Sequence, residues 1–266
     1  VHKVIFSSYQ ALLAKKVVDL LPPGLDKVFF PNSGAEANEG AIKMAYKYHE
    51  GKRDYILHSD RAFHGKLIAC GSLGGNYFED DLFPRLPNTA SFEYNNIASL
   101  KSKIEILKKN KTSNVYAVII EPFSASCMQE CSGDFLLELK KTCLENDIIL
   151  IFDEVYSGWA KTGELFYFMH HDILPDIVTY SKSFGGGKSS ISGYTTRPEY
   201  YEKSYGNLLH ALLHSTTYNG FGEECITAIE AINIVIEDNY IDKARNIYNV
   251  LNKGLIGLKK KYPNII

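Results

Sequence analysis

Apolar residues are distributed along this chain in two kinds of run. Val28-Phe29-Phe30, Tyr55-Ile56-Leu57, Val115 to Ile120, Ile148 to Phe152 and Ile177 to Tyr180 are short and almost continuously apolar. A strand with one wet face alternates apolar and polar positions, whereas a continuous run marks a strand covered on both faces. Between these runs, Ala35 to Tyr48, Ile97 to Lys109, Phe135 to Glu145 and Cys225 to Ile236 carry helical spacing. Strands that alternate with helices predict an α/β fold with a mainly parallel central sheet and helices on both faces. In such sheets ligands bind at the carboxyl ends of the strands.

Three strand ends hold candidate chemistry. Ile148 to Phe152 runs into Asp153-Glu154-Val155-Tyr156, and two carboxylates at the end of a buried strand are costly unless partnered. Asp176 to Tyr180 runs into Ser181-Lys182-Ser183 and then Gly185-Gly186-Gly187, where glycines permit a tight turn and close approach to a ligand. A surface turn with a solvated lysine accounts for the same residues equally well. Pro31 to Glu39 follows a strand and opens a helix, so Ser33 or Asn32 would cap it and the amides of Gly34 and Ala35 would face outward. That is an anion site by geometry and dipole, although a plain capped helix start is commoner.

Composition removes several alternatives. The 266 residues are 45% hydrophobic, enough for a packed core and too much for disorder, and the length suits one large α/β domain or two small ones. A formal net charge of -2 gives no reason to expect nucleic acid or an anionic membrane as partner. No apolar run approaches a membrane span, and the N-terminus lacks the pattern of a signal peptide. Five cysteines in no scaffold spacing favour a reducing, cytoplasmic compartment. Cys127 and Cys131 form a poor zinc signal without a second pair, and His170-His171 and the pair His210 and His214 read as surface or segment-end histidines. No metal is expected.

Six motifs in register carry a resemblance. Pro31 to Asn38, Phe63-His64-Gly65, Glu121-Pro122, Asp153-Glu154-Val155, Pro175-Asp176 with Lys182 and its glycines, and His214 to Gly220 resemble, in order and spacing, the class III (ornithine and putrescine type) aminotransferases. The resemblance implies a fold-type I enzyme of pyridoxal 5′-phosphate (PLP), a homodimer or larger assembly with active sites shared between subunits. It implies Lys182 as the Schiff-base lysine and Asp153 as the partner of the pyridine nitrogen, a carboxylate that keeps the ring protonated and the cofactor a good electron sink. By the same resemblance Ser33, Gly34 and Ala35 bind the phosphate, Phe63 stacks on the ring with His64 beside it, and Thr217 reaches the phosphate of the neighbouring subunit. Glu121, Val155 and Tyr156 complete the cofactor-binding set. The implied reaction is transamination from an amine or amino acid to an oxo-acid or aldehyde. Racemases, aminomutases and decarboxylases share this lysine and aspartate, and a non-catalytic subunit is the alternative from another class.

The sequence departs from the family in places. Tyr156 stands where a glutamine usually contacts the ring hydroxyl, and a phenol can donate to the same oxygen. Phe123-Ser124-Ala125-Ser126 replaces a glutamine, a glycine and an acid that parks a substrate-binding arginine, which slightly favours terminal amines as substrates. Asn219 replaces a glycine. The family extends before Val1 and after Ile266, so residues 1–266 correspond to the large PLP-binding domain, with the last helices leading toward a small C-terminal domain.

Overall fold

The computed structural model describes residues 7–75, 84–109 and 114–263. Its elements in chain order are α1 (Ser8–Leu20), β1 (Lys27–Phe29), α2 (Gly34–Tyr48), β2 (Tyr55–Ser59), α3 (Ile68–Ser72), β3 (Thr89–Phe92), α4 (Ile97–Lys109) and β4 (Val115–Ile120). There follow a two-stranded ribbon of β5 (Phe123–Ser124) and β6 (Gln129–Glu130), then α5 (Gly133–Glu145), β7 (Ile149–Asp153), β8 (Ile177–Tyr180), β9 (Gly193–Thr196), α6 (Pro198–Tyr205), α7 (Gly222–Glu237) and α8 (Tyr240–Lys261). Single 3-10 turns occupy Tyr167–His171 and Lys182–Gly185.

Among the described residues the main sheet has strand order β1-β9-β8-β7-β4-β2-β3. Pairings from β8 through β7, β4 and β2 to β3 are parallel, and β9 runs antiparallel between β8 and β1. Every residue of β4, β7 and β8 is buried, which is why their sequences show no alternation. The two faces are nevertheless distinct. Val118, Ile120, Leu150, Phe152 and Val178 pack with Leu13, Leu100, Leu136, Leu139 and Ile232 from α1, α4, α5 and α7. Their strand neighbours Ala117, Ile119, Ile149, Ile151 and Ile177 pack with Ala41, Met44 and Ala45 of α2 on the other face. The predicted three-layer α/β arrangement is what the chain adopts.

Local chemistry fixes the element ends. Ser33 caps α2 in a reciprocal capping box: its hydroxyl accepts from Glu36 N at 3.2 Å, and the Glu36 carboxylate accepts from Ser33 N at 2.8 Å. Ser132 caps α5 through Phe135 N at 3.2 Å. Further elements beyond those read from the pattern also form, among them α1, the edge strand β3, the antiparallel β9 and the C-terminal α8. α8 buries none of its residues, and Ile247, Tyr248, Val250 and Leu251 stand exposed along it. No helix among the described residues is long and apolar enough to cross a membrane.

Candidate active site

Parallel topology brings four sequence-distant segments to one edge of the sheet. Asp153 is the last residue of β7, Glu121 follows β4, the Lys182 turn follows β8, and Phe63-His64 follows β2. Because β8, β7, β4 and β2 are parallel neighbours in that order, these segments stand side by side at the carboxyl ends. β1 runs in the same direction at one remove, so Ser33-Gly34 opens α2 at the same edge.

Asp153 is 3% exposed and sits at the centre of a hydrogen-bond network. Its Oδ2 accepts from Asn38 Nδ2 at 2.7 Å and pairs with His64 Nδ1 at 2.8 Å. Its Oδ1 accepts from Val155 N at 3.0 Å, with Thr179 Oγ1 at 3.5 Å. Asn38 is itself oriented, donating to His64 O at 2.9 Å and accepting from Thr179 Oγ1 at 2.6 Å. These contacts offset the cost of burying a carboxylate there. His64 Nε2 is buried without a partner among the described residues.

Lys182 adopts φ +46, a left-handed conformation costly for a side chain with Cβ and characteristic of functional turns. Gly186 and Gly187 follow at φ +62 and +71 and reverse the chain. The Lys182 ammonium lies 4.9 Å from the centroid of the Tyr156 ring, which in turn stacks on Phe123 at 6.0 Å and 15°. Behind the turn, Phe184 stacks on Trp159 at 5.0 Å and 17° and meets Tyr180 edge-on at 5.0 Å. That aromatic packing supplies the rigidity that holds the strained lysine.

Gly34 marks the cradle. A Cβ placed there would lie 2.9 Å from Val155 Cγ1 and 3.4 Å from Ser181 Cβ, so only glycine lets the helix start approach the ends of β7 and β8. The amides of Gly34 and Ala35 belong to the first turn of α2, which has no intrahelical acceptors for them. Gly65, at φ +120, brings the Phe63-His64 loop against this start: a Cβ there would meet Ala35 Cβ at 2.6 Å. Phe63 keeps 37% of its surface exposed while its N donates to Glu121 Oε2 at 2.9 Å.

Two buried glutamates stand beside the site. Glu154 is fully buried and receives Ser157 Oγ at 2.7 Å, Tyr167 N at 2.8 Å and Phe168 N at 2.8 Å; burial still pushes its carboxyl up to about 7. Burial likewise raises Glu121 to about 7, with His64 drawing it down and Asp153 adding to the rise. Lys161 is a further addition. The residue is exposed, but its amine donates to Gly158 O at 2.8 Å, and burial together with the charge of Lys182 lowers it to about 8.

The predicted residues thus separate into groups. Asp153, His64 and Val155 are joined by direct hydrogen bonds, Glu121 acts on His64 and Asp153 through charge, and Lys182 with Tyr156 and Ser33 to Ala35 flank them. Thr217 is exposed, on a segment tied to the start of α2 through Thr216 Oγ1 to Asn32 Oδ1 at 2.9 Å and Asn32 Nδ2 to Tyr218 O at 3.2 Å. Asn219, in place of a glycine, accepts from Thr216 N at 3.2 Å and closes that segment on itself. Sequence reasoning gives no role to Asn38, Thr179 or Lys161. Asn38 carries a faint signal, as an amide among the small residues of a helix face that is otherwise buried; Thr179 reads as strand filler, and Lys161 as surface.

Asp153, Lys182 and the Gly34 cradle are the kind of set that holds an aromatic aldehyde bearing a ring nitrogen and an anionic group. The Asp153 carboxylate is fixed by its hydrogen bonds, the Lys182 amine has no carboxylate partner among the described residues, and the amide cradle kept open by Gly34 can accept an anion. PLP has these three features, and the residues fit it.

Comparison with known proteins places the chain in the same company. The sequence profile described as aminotransferase class III matches residues 1–266. The chain is 34% identical to the acetylornithine aminotransferase of Methanocaldococcus jannaschii over 94% of its own length and 63% of that protein's. It is 31% identical to the acetylornithine aminotransferase of Agrobacterium fabrum, covering 97% of this chain and 62% of the relative. A transaminase structure from the marine bacterium Virgibacillus superposes with a TM-score of 0.90 at 25% identity, over 97% of this chain and 61% of that one. The chain therefore spans about three fifths of the length of the curated relatives it matches.

Proposed function

The chain belongs to the class III aminotransferases, and from that premise we propose that it moves an amino group from an amine or amino acid to an oxo-acid or aldehyde, using PLP attached at Lys182. The observation that carries this reading is the convergence of the buried Asp153, the strained Lys182 turn and the Gly34 cradle at one sheet edge. When bound, the cofactor supplies an electron sink for the carbon bearing the donor nitrogen.

The residues around it have separable tasks. Asp153, its Oδ2 already committed to Asn38 and His64, holds a proton on the ring nitrogen through its remaining capacity. Lys182 Nζ would hold the cofactor at its aldehyde and, as a free amine, would move a proton between substrate and cofactor. Ser33, Gly34 and Ala35 bind the phosphate. Phe63 offers an aromatic face, fixed at its backbone by Glu121. Val155 closes the cradle against Gly34, and the Tyr156 hydroxyl serves the ring oxygen usually met by a glutamine.

A homodimer completes the site. Leu208, Leu209 and Leu212 are 95%, 89% and 61% exposed just before the Thr217 segment, a surface that suits a second copy and lets Thr217 reach that copy's phosphate. α8, with its uncovered apolar residues, suits the connection to a small C-terminal domain. Because the two relatives act, by name, on acetylornithine, an ornithine derivative is the first donor to try.

The deciding experiment is an absorption spectrum of the full-length protein with PLP, before and after an amine donor is added, beside Lys182→Ala. A visible band absent from the variant and bleached by donor alone supports both cofactor and reaction. A band that donor alone leaves intact points to racemase-type chemistry, and no band in the wild type overturns the reading.

A further inference from the structure

Glu121 lies in the same buried cluster as Asp153, yet its surroundings differ from those of a buried carboxylate built to be ionised. Glu154 supplies the comparison within the same protein. Both glutamates meet two backbone amides, so the hydroxyl separates them: an ionised carboxylate draws hydroxyl donors to about 2.5–2.7 Å, and Ser157 Oγ approaches Glu154 at 2.7 Å. Ser124 Oγ, which is completely buried beside Glu121, stays 3.4 Å from its Oε2.

Counting protons along the hydroxyls explains that distance. Ser126 Oγ donates to Arg61 O at 2.6 Å, so its one proton is committed. The contact between Ser124 Oγ and Ser126 Oγ, at 3.0 Å the shorter of the two that Ser124 makes, then takes the proton of Ser124. Ser124 has no second proton to offer Glu121. The contact between Ser124 and Glu121 can hold a hydrogen only if Glu121 brings it.

We propose that Glu121 is a protonated positioning residue, leaving Asp153 as the seat of the cluster's negative charge, and that Ser124 and Ser126 form its route for proton exchange with solvent. With Glu121 protonated, the 3.4 Å contact in which Ser124 Oγ would donate to an ionised Glu121 reverses, and the chain runs from Glu121 to Ser124, to Ser126, to Arg61 O, from a completely buried hydroxyl to an exposed one. It occupies the stretch where the sequence departs from its family, Phe123-Ser124-Ala125-Ser126.

The groups facing Glu121 fit this assignment. His64 and Asp153 approach from the ends of β2 and β7, and the backbone amides of Phe63 and Ala125 reach the carboxyl. Tyr94 OH and Cys131 Sγ, from beyond β3 and β6, point at the Glu121 carbonyl, not at its carboxyl. The Arg61 guanidinium donates to Gln129 Oε1 and does not neutralise Glu121. With no lysine or arginine paired to it among the described residues, and a fixed carboxylate close by, burial raises Glu121 to about 7. The proposal rests on the preceding reading for the roles of Asp153 and Phe63, whereas the proton itself does not depend on bound cofactor.

The test is a wild-type minus Glu121→Gln infrared difference spectrum of the full-length, cofactor-free protein. A protonated-carboxyl band is expected at about pH 6, disappearing by about pH 8, and Ser124→Ala should shift its frequency by removing its acceptor. Should Glu121→Gln fail to fold, carbon-13 labelling of the glutamate carboxyls, assigned with Ser124→Ala, follows the same titration in wild-type protein. Absence of the band at about pH 6, or indifference to Ser124→Ala, overturns the proposal. A band in protein that gives no visible spectrum with PLP would leave the proton standing and refute the cofactor reading instead.

Discussion

Asn38 Nδ2 donates to Asp153 Oδ2 at 2.7 Å, joining the first turns of α2 to the end of β7 across 115 residues of sequence. Thr179 Oγ1, on the neighbouring strand, fixes the amide by donating to Asn38 Oδ1 at 2.6 Å. Asp153 is therefore oriented by residues of two other elements, independently of any ligand. A hydrogen bond to a charged group contributes about 1.5–3 kcal/mol, and about 1.4 kcal/mol is a factor of ten in affinity. Asn38→Ala is accordingly expected to weaken PLP binding by roughly ten- to a hundredfold. Absorbance titration of the full-length protein measures this, and a change below about threefold would show that Asp153 does not need the amide.

Gly34→Ala tests the cradle. The added methyl would sit 2.9 Å from Val155 Cγ1 and 3.0 Å from Cγ2, with Ser181 Cβ at 3.4 Å. Overpacking of this kind costs roughly 1–3 kcal/mol, and weaker cofactor binding should accompany it. Combining it with Val155→Ala removes the clash, so the double variant should be less damaged than the two single effects added together. Strict additivity in urea unfolding would mean that the two residues do not press on each other.

Glu154 separates stability from catalysis. Its three donors leave no place for an amide NH2, which in Glu154→Gln would face Phe168 N or Tyr167 N. Leaving buried donors unsatisfied costs roughly 1–3 kcal/mol. Because the folded carboxyl is raised from 4.5 to about 7, its contribution is fully present below about 4.5 and lost as pH rises through about 7. Gln has no such titration, so the deficit of the variant should narrow between about pH 5 and about pH 8. A deficit in the urea midpoint that widens over this range would contradict the assignment.

Acid should unfold the protein through its buried imidazoles. His58, on β2, is held at about 4 by burial and by the nearby His64, although its contact with Ser59 O works the other way. The unfolded group takes a proton near 6.5, so the stabilisation is present above about 6.5 and lost as pH falls toward about 4. Its size is about 3 kcal/mol. His58→Phe should flatten the fall in urea midpoint between about pH 6.5 and about pH 4.5, and an unchanged slope would remove His58 as its source.

Much of the sheet is legible in the amino-acid pattern. Val115 to Ile120 and Ile177 to Tyr180 form strands at their predicted bounds, and Ile97 to Lys109 forms a helix at its own. Long apolar runs that must be covered on both faces leave little choice of register or state. β3 and β9 leave no such mark, because Thr-Ala-Ser-Phe and Gly-Tyr-Thr-Thr mix small, polar and aromatic residues, and their sheet partners decide their conformation. α8 is equally silent, because an amphipathic pattern without a buried face gives no core signal.

Local sequence dictates which residues can bear chemistry. Asp153 ends an apolar strand, Lys182 precedes three glycines, and Ser33 to Ala35 opens a helix, because strand ends, glycine turns and caps are local matters of sterics and hydrogen bonding. Which groups meet, and in what charge state, is settled by the packing of distant elements. Asn38 and Thr179 become partners of Asp153 through parallel strand order and the packing of α2 on the sheet. The positions of Glu121 and Glu154 are alike in sequence, each a carboxylate just past a buried strand. Both receive backbone amides, but Glu154 also has a hydroxyl at 2.7 Å whereas the hydroxyl beside Glu121 stands off at 3.4 Å and leads on to Ser126, and that difference depends on how the segment after each strand folds back.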